Sequence, residues 1–313
     1  MQQGLAVITG PTATGKTRLG IMLAQRLGGE IVSGDSMQLY RGMDIGTAKP
    51  TPEELAAAPH HLIDIASPAE EWSVSRYVGA ADAAVQDILA RGRLPIVVGG
   101  TGLYIDALVR GTEFSARSEA DEACRAELES RYDEIGGAAM LTELGQIDPE
   151  RAAKLAPADK KRIVRAMEVY LLTGRTITEH DAESAARPPR YAAGYIALDY
   201  ADRAALYARI DARVDEMVSA GLFEEVERVY AEGISRTAAQ AIGYKEAAAA
   251  LRGEISRAGA VEKIKKESRN YAKRQLTWLR KKPRVRWIRW DREPDFEAAA
   301  RASTAFLTAE GII

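Results

Sequence analysis

Apolar residues along this chain alternate between two habits: short unbroken runs, and longer stretches in which they recur every three or four positions. Unbroken runs read as strands buried on both faces, and the longer period reads as helix. Leu5-Ala6-Val7-Ile8 is the first run, and Arg18 to Leu27 follows as a helix with Leu19, Met22, Leu23 and Leu27 on one stripe. Glu30 to Ser33 predicts a second strand ending at Asp35, Ser75 to Arg91 a helix, and Leu94 to Val98 a third strand ending at Gly99-Gly100-Thr101. Near the other end, Gly194 to Asp199 reads as a strand, followed by a helix from Asp202 to Ala220 that Gly221 closes. Strands alternating with helices in this way predict an α/β fold, a parallel sheet with helices on both faces.

Between Gly111 and Arg187 the habit changes, because the stretch is charged, alanine-rich and helical in period without a convincing strand. Asp159 suits an N-cap and Gly174 a stop for a helix whose stripe includes Ile163, Met167 and Leu171. Arg187-Pro188-Pro189-Arg190 punctuates the end. The expected organisation is a discontinuous core, 1–114 and 190–313, carrying an all-helical insertion at 115–189.

Composition narrows the class. A chain of 313 residues, 46% of them hydrophobic, can bury a real core. Its first residues run straight into an apolar strand without a charged and then apolar leader, and no apolar stretch approaches the roughly 20 residues of a membrane span, so the expected place is the cytoplasm. One cysteine, Cys124, forms no internal disulfide, and three histidines, His60, His61 and His180, lack the ligand spacing of structural zinc. No coiled-coil pattern or long apolar edge points to assembly, so a monomer is expected. The net charge of −2 is neutral toward polyanions, but twelve Lys or Arg and two acidic residues fall between Val261 and Trp290, with Tyr271, Trp278, Trp287 and Trp290 interleaved. That run is either a solvated helix face or an electrostatic footprint for a polyanion.

The chemistry begins at Gly10-Pro11-Thr12-Ala13-Thr14-Gly15-Lys16-Thr17, which fits G-x-x-x-x-G-K-[ST] between a strand and a helix. Such a loop cradles phosphate oxygens with backbone N–H groups, adds the Lys16 charge and offers the Thr17 hydroxyl to Mg²⁺. In a parallel sheet ligands bind along the carboxyl edge, so Asp35 and Thr101, both just past strand ends, should face the same crevice. Asp35 there is a Mg²⁺ holder through water, a general base, or a cap for the turn at Ser36. Val97-Val98 runs into Gly99-Gly100-Thr101-Gly102 where a Walker B aspartate would stand in an ATP-hydrolysing motor. Arg209 and Arg213 share a helix face, as a solvated pair or a diphosphate clamp, with Glu216 available to compensate Arg213.

Taken together, several segments resemble one family, the bacterial-type tRNA dimethylallyltransferases. They are the phosphate loop, Asp35 to Tyr40 with Met43 to Pro50, Pro59 to Asp64, Val98 to Tyr104, Arg209 to Arg213, Ala241 to Glu246 and Tyr271 to Trp278. The resemblance implies a P-loop NTPase-like fold and transfer of a dimethylallyl group from dimethylallyl diphosphate to N6 of adenosine 37 in tRNAs reading codons that begin with U. It implies Asp35 as general base; Gly10 to Thr17 around the diphosphate with Mg²⁺ at Thr17; and Lys16, Thr101 and Arg213 balancing leaving-group charge. It also implies tRNA contacts from Asp35, Ser36, Met37, Gln38 and Thr101; from Asp159, Lys160, Lys161, Arg162 and Ile163; and from Gln240, Ala241, Ile242, Gly243, Tyr244 and Lys245. The insertion would grip the anticodon stem-loop. A P-loop small-molecule kinase and an adenylate isopentenyltransferase are the competing readings.

Overall fold

The computed structural model describes residues 3–112, 119–291 and 293–313. Six strands form one sheet: β1 (Gly4–Thr9), β2 (Glu30–Ser33), β3 (His60–His61), β4 (Pro95–Val98), β5 (Ala192–Tyr200) and β6 (Val285–Trp290). Their order is β3-β2-β4-β1-β5-β6, and every neighbouring pair is parallel. The unbroken apolar runs explain the burial. In β1, Leu5 and Val7 join one core with Tyr77, Val85 and Leu108 of the helices Val74–Ala90 and Gly102–Arg110. Ala6 and Ile8 point the other way, to Leu19 and Leu23 of the helix Lys16–Leu27 and Leu307 of the helix Phe296–Ala309. A period of two thus feeds two helical layers from one strand.

Two strands escape the sequence reading. β3 is two residues long, too short for any period to register. β6 lies inside the basic run expected as a helix face; that run divides into the helix Arg257–Leu279 and an edge strand whose arginines Arg286 and Arg289 are exposed.

The chain separates into two compact units, Met1–Gly111 with Arg190–Ile313, and Thr112–Pro189. The boundary expected at residue 115 lies outside the described residues. In the smaller unit every described element is helical, and its core gathers Leu128, Met140, Leu144, Ile163, Val164 and Met167. The helix Lys160–Thr173 stops at Gly174 in the left-handed region, as expected. Its stripe holds at Ile163 and Met167, but Leu171 is 59% exposed, so the apolar side loses its cover in the last turn. No helix among the described residues is long and apolar enough to cross a membrane.

Candidate active site

The phosphate loop leaves β1 and enters the helix Lys16–Leu27 through Gly15, whose φ of 85° only glycine adopts without strain. Contacts from distant elements hold it. Trp290 Nε1 donates to Thr14 O at 3.0 Å, and Arg213 Nη1 donates to Thr12 Oγ1 at 3.4 Å. Lys16 Nζ donates to Pro11 O at 2.8 Å, folding the ammonium over the loop. Thr12 N–H donates to Gln275 Oε1 at 3.1 Å, so this amide of the expected cradle is engaged by protein.

Above the loop lies a cavity of about 560 Å³ whose wall includes Thr12, Lys16, Thr17, Asp35 and Arg213. A second cavity of about 260 Å³ is walled by Ser36, Met37, Val214, Met217, Gln240 and Ile242, a largely apolar set. Thr12, Asp35, Thr47, Ala48, Arg213 and Tyr271 line both. Asp35 therefore stands where a polar cavity meets a more apolar one.

The electrostatics suit an anion in this cavity. Burial pushes the Lys16 ammonium down to about 7, and nearby Arg213 adds to this while Asp35 opposes it. Burial also lowers Arg213. The Asp35 carboxyl is raised, with burial the largest cause, against the pull of the Met37 amide, Lys16 and Arg213. Two buried cations facing each other are relieved by a bound polyanion, and a raised carboxyl is a stronger base than one on the surface.

Asp35 also serves its turn. Oδ1 accepts the Met37 N–H at 2.9 Å, an Asx turn, so the capping role exists beside any chemical one. Thr101 accepts the Ser36 N–H at 3.1 Å through Oγ1 and donates to Ser36 Oγ at 3.3 Å; it supports the turn and lies outside the walls of both cavities. Glu216 pairs directly with Arg209, at 3.5 Å, while Arg213 turns inward to Thr12 and feels Glu216 only through space, as one of the charges that favour its cationic form.

The remaining expected residues separate by exposure. Ser36, Met37, Gln240, Ala241 and Ile242 line the apolar cavity, and Gln38 lines the polar one. The Gln38 amide is already engaged, accepting from Ser33 Oγ at 3.1 Å and donating to Ala48 O at 3.2 Å. Gly243, at φ 101°, precedes Tyr244, which is fully buried, while Lys245 is exposed beside Glu246. In the smaller unit Lys160 pairs with Asp133, and Asp159 accepts the Ala156 N–H. Ile163 is fully buried in the unit core, and Lys161 and Arg162 are exposed without a carboxylate partner among the described residues.

Glu225 and Gln275 were not singled out by the sequence reading. Glu225 is 2% exposed and accepts three successive backbone N–H groups, Asp44 at 2.9 Å, Ile45 at 2.8 Å and Gly46 at 2.9 Å, plus the Tyr244 hydroxyl. A signal existed: an acid embedded in the apolar stripe Leu222, Val226, Val229. Gln275 links two loops that are far apart in sequence, which no local pattern encodes.

The donor set suits Mg²⁺ only in company. No group of three or more His, Cys, Asp or Glu able to hold a metal occurs among the described residues. Mg²⁺ needs few protein ligands when phosphate oxygens and water complete its octahedron, and Thr17 in the cavity wall is a residue that could supply one.

Comparison with known proteins agrees with this geometry. The family described as IPP transferase matches residues 38–282, and that described as isopentenyl transferase matches residues 3–66. The chain is 48% identical over 289 residues to a tRNA dimethylallyltransferase of Geobacillus kaustophilus, covering 92% of this chain and 91% of the relative. It is 49% identical over 299 residues to that of Anaeromyxobacter dehalogenans, covering 95% and 98%. Among solved structures, the full-length tRNA isopentenylpyrophosphate transferase of Bacillus halodurans superposes with a TM-score of 0.72 at 41% identity, covering 99% of this chain and 98% of that one. A eukaryotic dimethylallyltransferase captured acting on tRNA gives 0.79 at 27% identity, covering 98% and 80%. The chain belongs to the IPP transferase family, and within it to the tRNA dimethylallyltransferases, prenyltransferases that modify tRNA.

Proposed function

We propose that the chain transfers a dimethylallyl group from dimethylallyl diphosphate to N6 of adenosine 37 in tRNAs that read codons beginning with U, releasing diphosphate. The observation that carries this reading is Asp35 at the junction of the two cavities. Diphosphate belongs to the chamber of Lys16 and Arg213, and an adenine drawn out of the anticodon loop belongs to the apolar one. The N6 lone pair attacks C1 of the allyl group, the C–O bond breaks with its electrons passing to diphosphate, and Asp35 takes the N6 proton. Burial supports that role, since it raises the basicity of the carboxylate.

Lys16, Arg213 and the loop amides from Ala13 to Thr17 would balance the charge that develops on the leaving oxygen. Thr17 would hold Mg²⁺, whose charge, when bound, offsets that of the diphosphate. Thr101 acts at one remove, by fixing the Ser36 backbone beside Asp35. Exposed Lys161 and Arg162 suit phosphates of the anticodon stem, where contacts position RNA without reading bases. Gln240 to Ile242 wall the base chamber.

Labelled dimethylallyl diphosphate incubated with unmodified tRNA tests the reading. Label should enter tRNA carrying A37 and not the same tRNA with G at that position. Incorporation into both, or into free AMP in preference to tRNA, would reject it.

A further inference from the structure

Trp290 is one of the aromatic residues interleaved in the basic run, which reads from sequence as a solvated helix face or an electrostatic footprint. The structure puts it elsewhere: it is 4% exposed, at the end of β6, with its ring 5.3 Å from that of Phe296. An indole N–H is a donor only and, when buried, needs an acceptor. It finds Thr14 O at 3.0 Å, in the middle of the phosphate loop.

That contact has a geometric consequence. A trans peptide is planar, with its C=O and N–H pointing in opposite directions. When Trp290 holds Thr14 O on the protein side, the N–H of the same peptide unit, which belongs to Gly15, is turned away from Trp290. Gly15 lines the polar cavity. Phe296 closes the other escape, since a Cβ built on Gly15 would lie 2.5 Å from its ring, and Arg18 covers the ring with its guanidinium carbon 4.5 Å from the centroid. The loop at Thr14-Gly15 is thus clamped from behind by two aromatic residues outside the segments that the family descriptions match, 38–282 and 3–66.

We infer that Trp290 is a positioning residue for the diphosphate site, whose indole N–H fixes the Thr14–Gly15 peptide so that the Gly15 N–H is presented to a diphosphate oxygen. The inference rests on the reading of the polar cavity as a diphosphate chamber. It assigns the end of β6 to leaving-group binding.

Trp290→Phe keeps an aromatic ring against Phe296 and deletes the donor. Titration with inorganic diphosphate and Mg²⁺ should show its dissociation constant rising roughly three- to tenfold, the range expected for one lost orienting hydrogen bond. KM for dimethylallyl diphosphate should rise in parallel, with KM for tRNA within about twofold of wild type. Wild-type affinity for diphosphate in Trp290→Phe overturns the inference, and so does an equal loss for both substrates, which marks a general packing role. Failure of the wild-type protein to bind diphosphate would instead reject the chamber itself. If the variant does not fold, exchange of indole N–H protons in wild-type protein decides: protection of Trp290 that increases on adding diphosphate supports the clamp, and protection that does not change refutes it.

Discussion

Gln275 and Gly100 meet so closely that a Cβ built on Gly100 would lie 2.0 Å from Gln275 Nε2. That nitrogen donates to Gly100 O at 3.1 Å while Oε1 of the same amide accepts the Thr12 N–H at 3.1 Å. One buried side chain thereby ties the phosphate loop to the second glycine-rich turn. Gly100→Ala would displace the amide and Gln275→Leu would delete it, so each should cost about 1–3 kcal/mol of stability and weaken diphosphate binding. Because both act through one bridge, the double variant should lose little more than the worse single one. Chemical denaturation of the four proteins measures the coupling; simple additivity would mean the bridge is not shared.

Why this bridge was invisible in the sequence is instructive. The strands of the sheet centre were legible because burial on both faces forces unbroken apolar runs, as in Leu5 to Ile8, and the phosphate loop because its glycines and Lys16 stand at fixed local spacing. Position at strand ends was enough to bring Asp35 to the crevice. It was not enough for Thr101, whose hydroxyl is spent on Ser36. Ile163, which the resemblance implied as a tRNA contact, is apolar as its helical period requires and lies fully buried in the core of its unit. Glu225, Gln275 and Trp290 act across 181, 263 and 276 residues of chain, distances over which no period or motif carries information.

Asp35→Asn keeps an oxygen to accept the Met37 N–H, so the turn should survive while the base is lost. Single-turnover transfer should fall by about 10²–10⁴-fold, the usual contribution of a general base, with tRNA affinity within a few-fold of wild type. The sign of the pH effect follows from the raised carboxyl. Wild-type transfer should decline as pH falls through its elevated value, because protonation removes the acceptor, and the residual rate of Asp35→Asn should lack that limb. Equal losses of turnover and tRNA binding would count against the role.

Lys16, pushed down to about 7 by burial and by nearby Arg213, is largely neutral at pH 8 in the protein without diphosphate. Diphosphate favours its charged form, so binding should draw in a proton above pH 7 and do so less below it. Affinity for diphosphate should accordingly lose a Lys16-dependent component as pH rises from 6 to 8. Calorimetry in buffers of different ionisation enthalpy reports the uptake, and Lys16→Met subtracts the protons carried by diphosphate itself. If wild type and Lys16→Met exchange the same number of protons at pH 8, the ammonium is not depressed.

The last relationship concerns the wall shared by both chambers. Glu225 holds the backbone N–H groups of Asp44, Ile45 and Gly46, and the next two residues, Thr47 and Ala48, line both cavities and accept from Gln38. Glu225→Gln leaves an amide with one acceptor oxygen where a carboxylate offered two, so at least one loop N–H loses its partner at a cost of about 1–3 kcal/mol. Gly46→Ala should disturb the same turn from the other side, since its Cβ would lie 2.5 Å from Cε2 of Tyr244, itself a donor to Glu225. Both variants should accelerate hydrogen exchange of the amides at 44–46 by about tenfold or more and raise KM for tRNA, while the amides of β1 exchange as in wild type. A turn that stayed protected in Glu225→Gln would show that its shape comes from the loop's own contacts, and the carboxylate would then be a passenger in the apolar stripe of its helix.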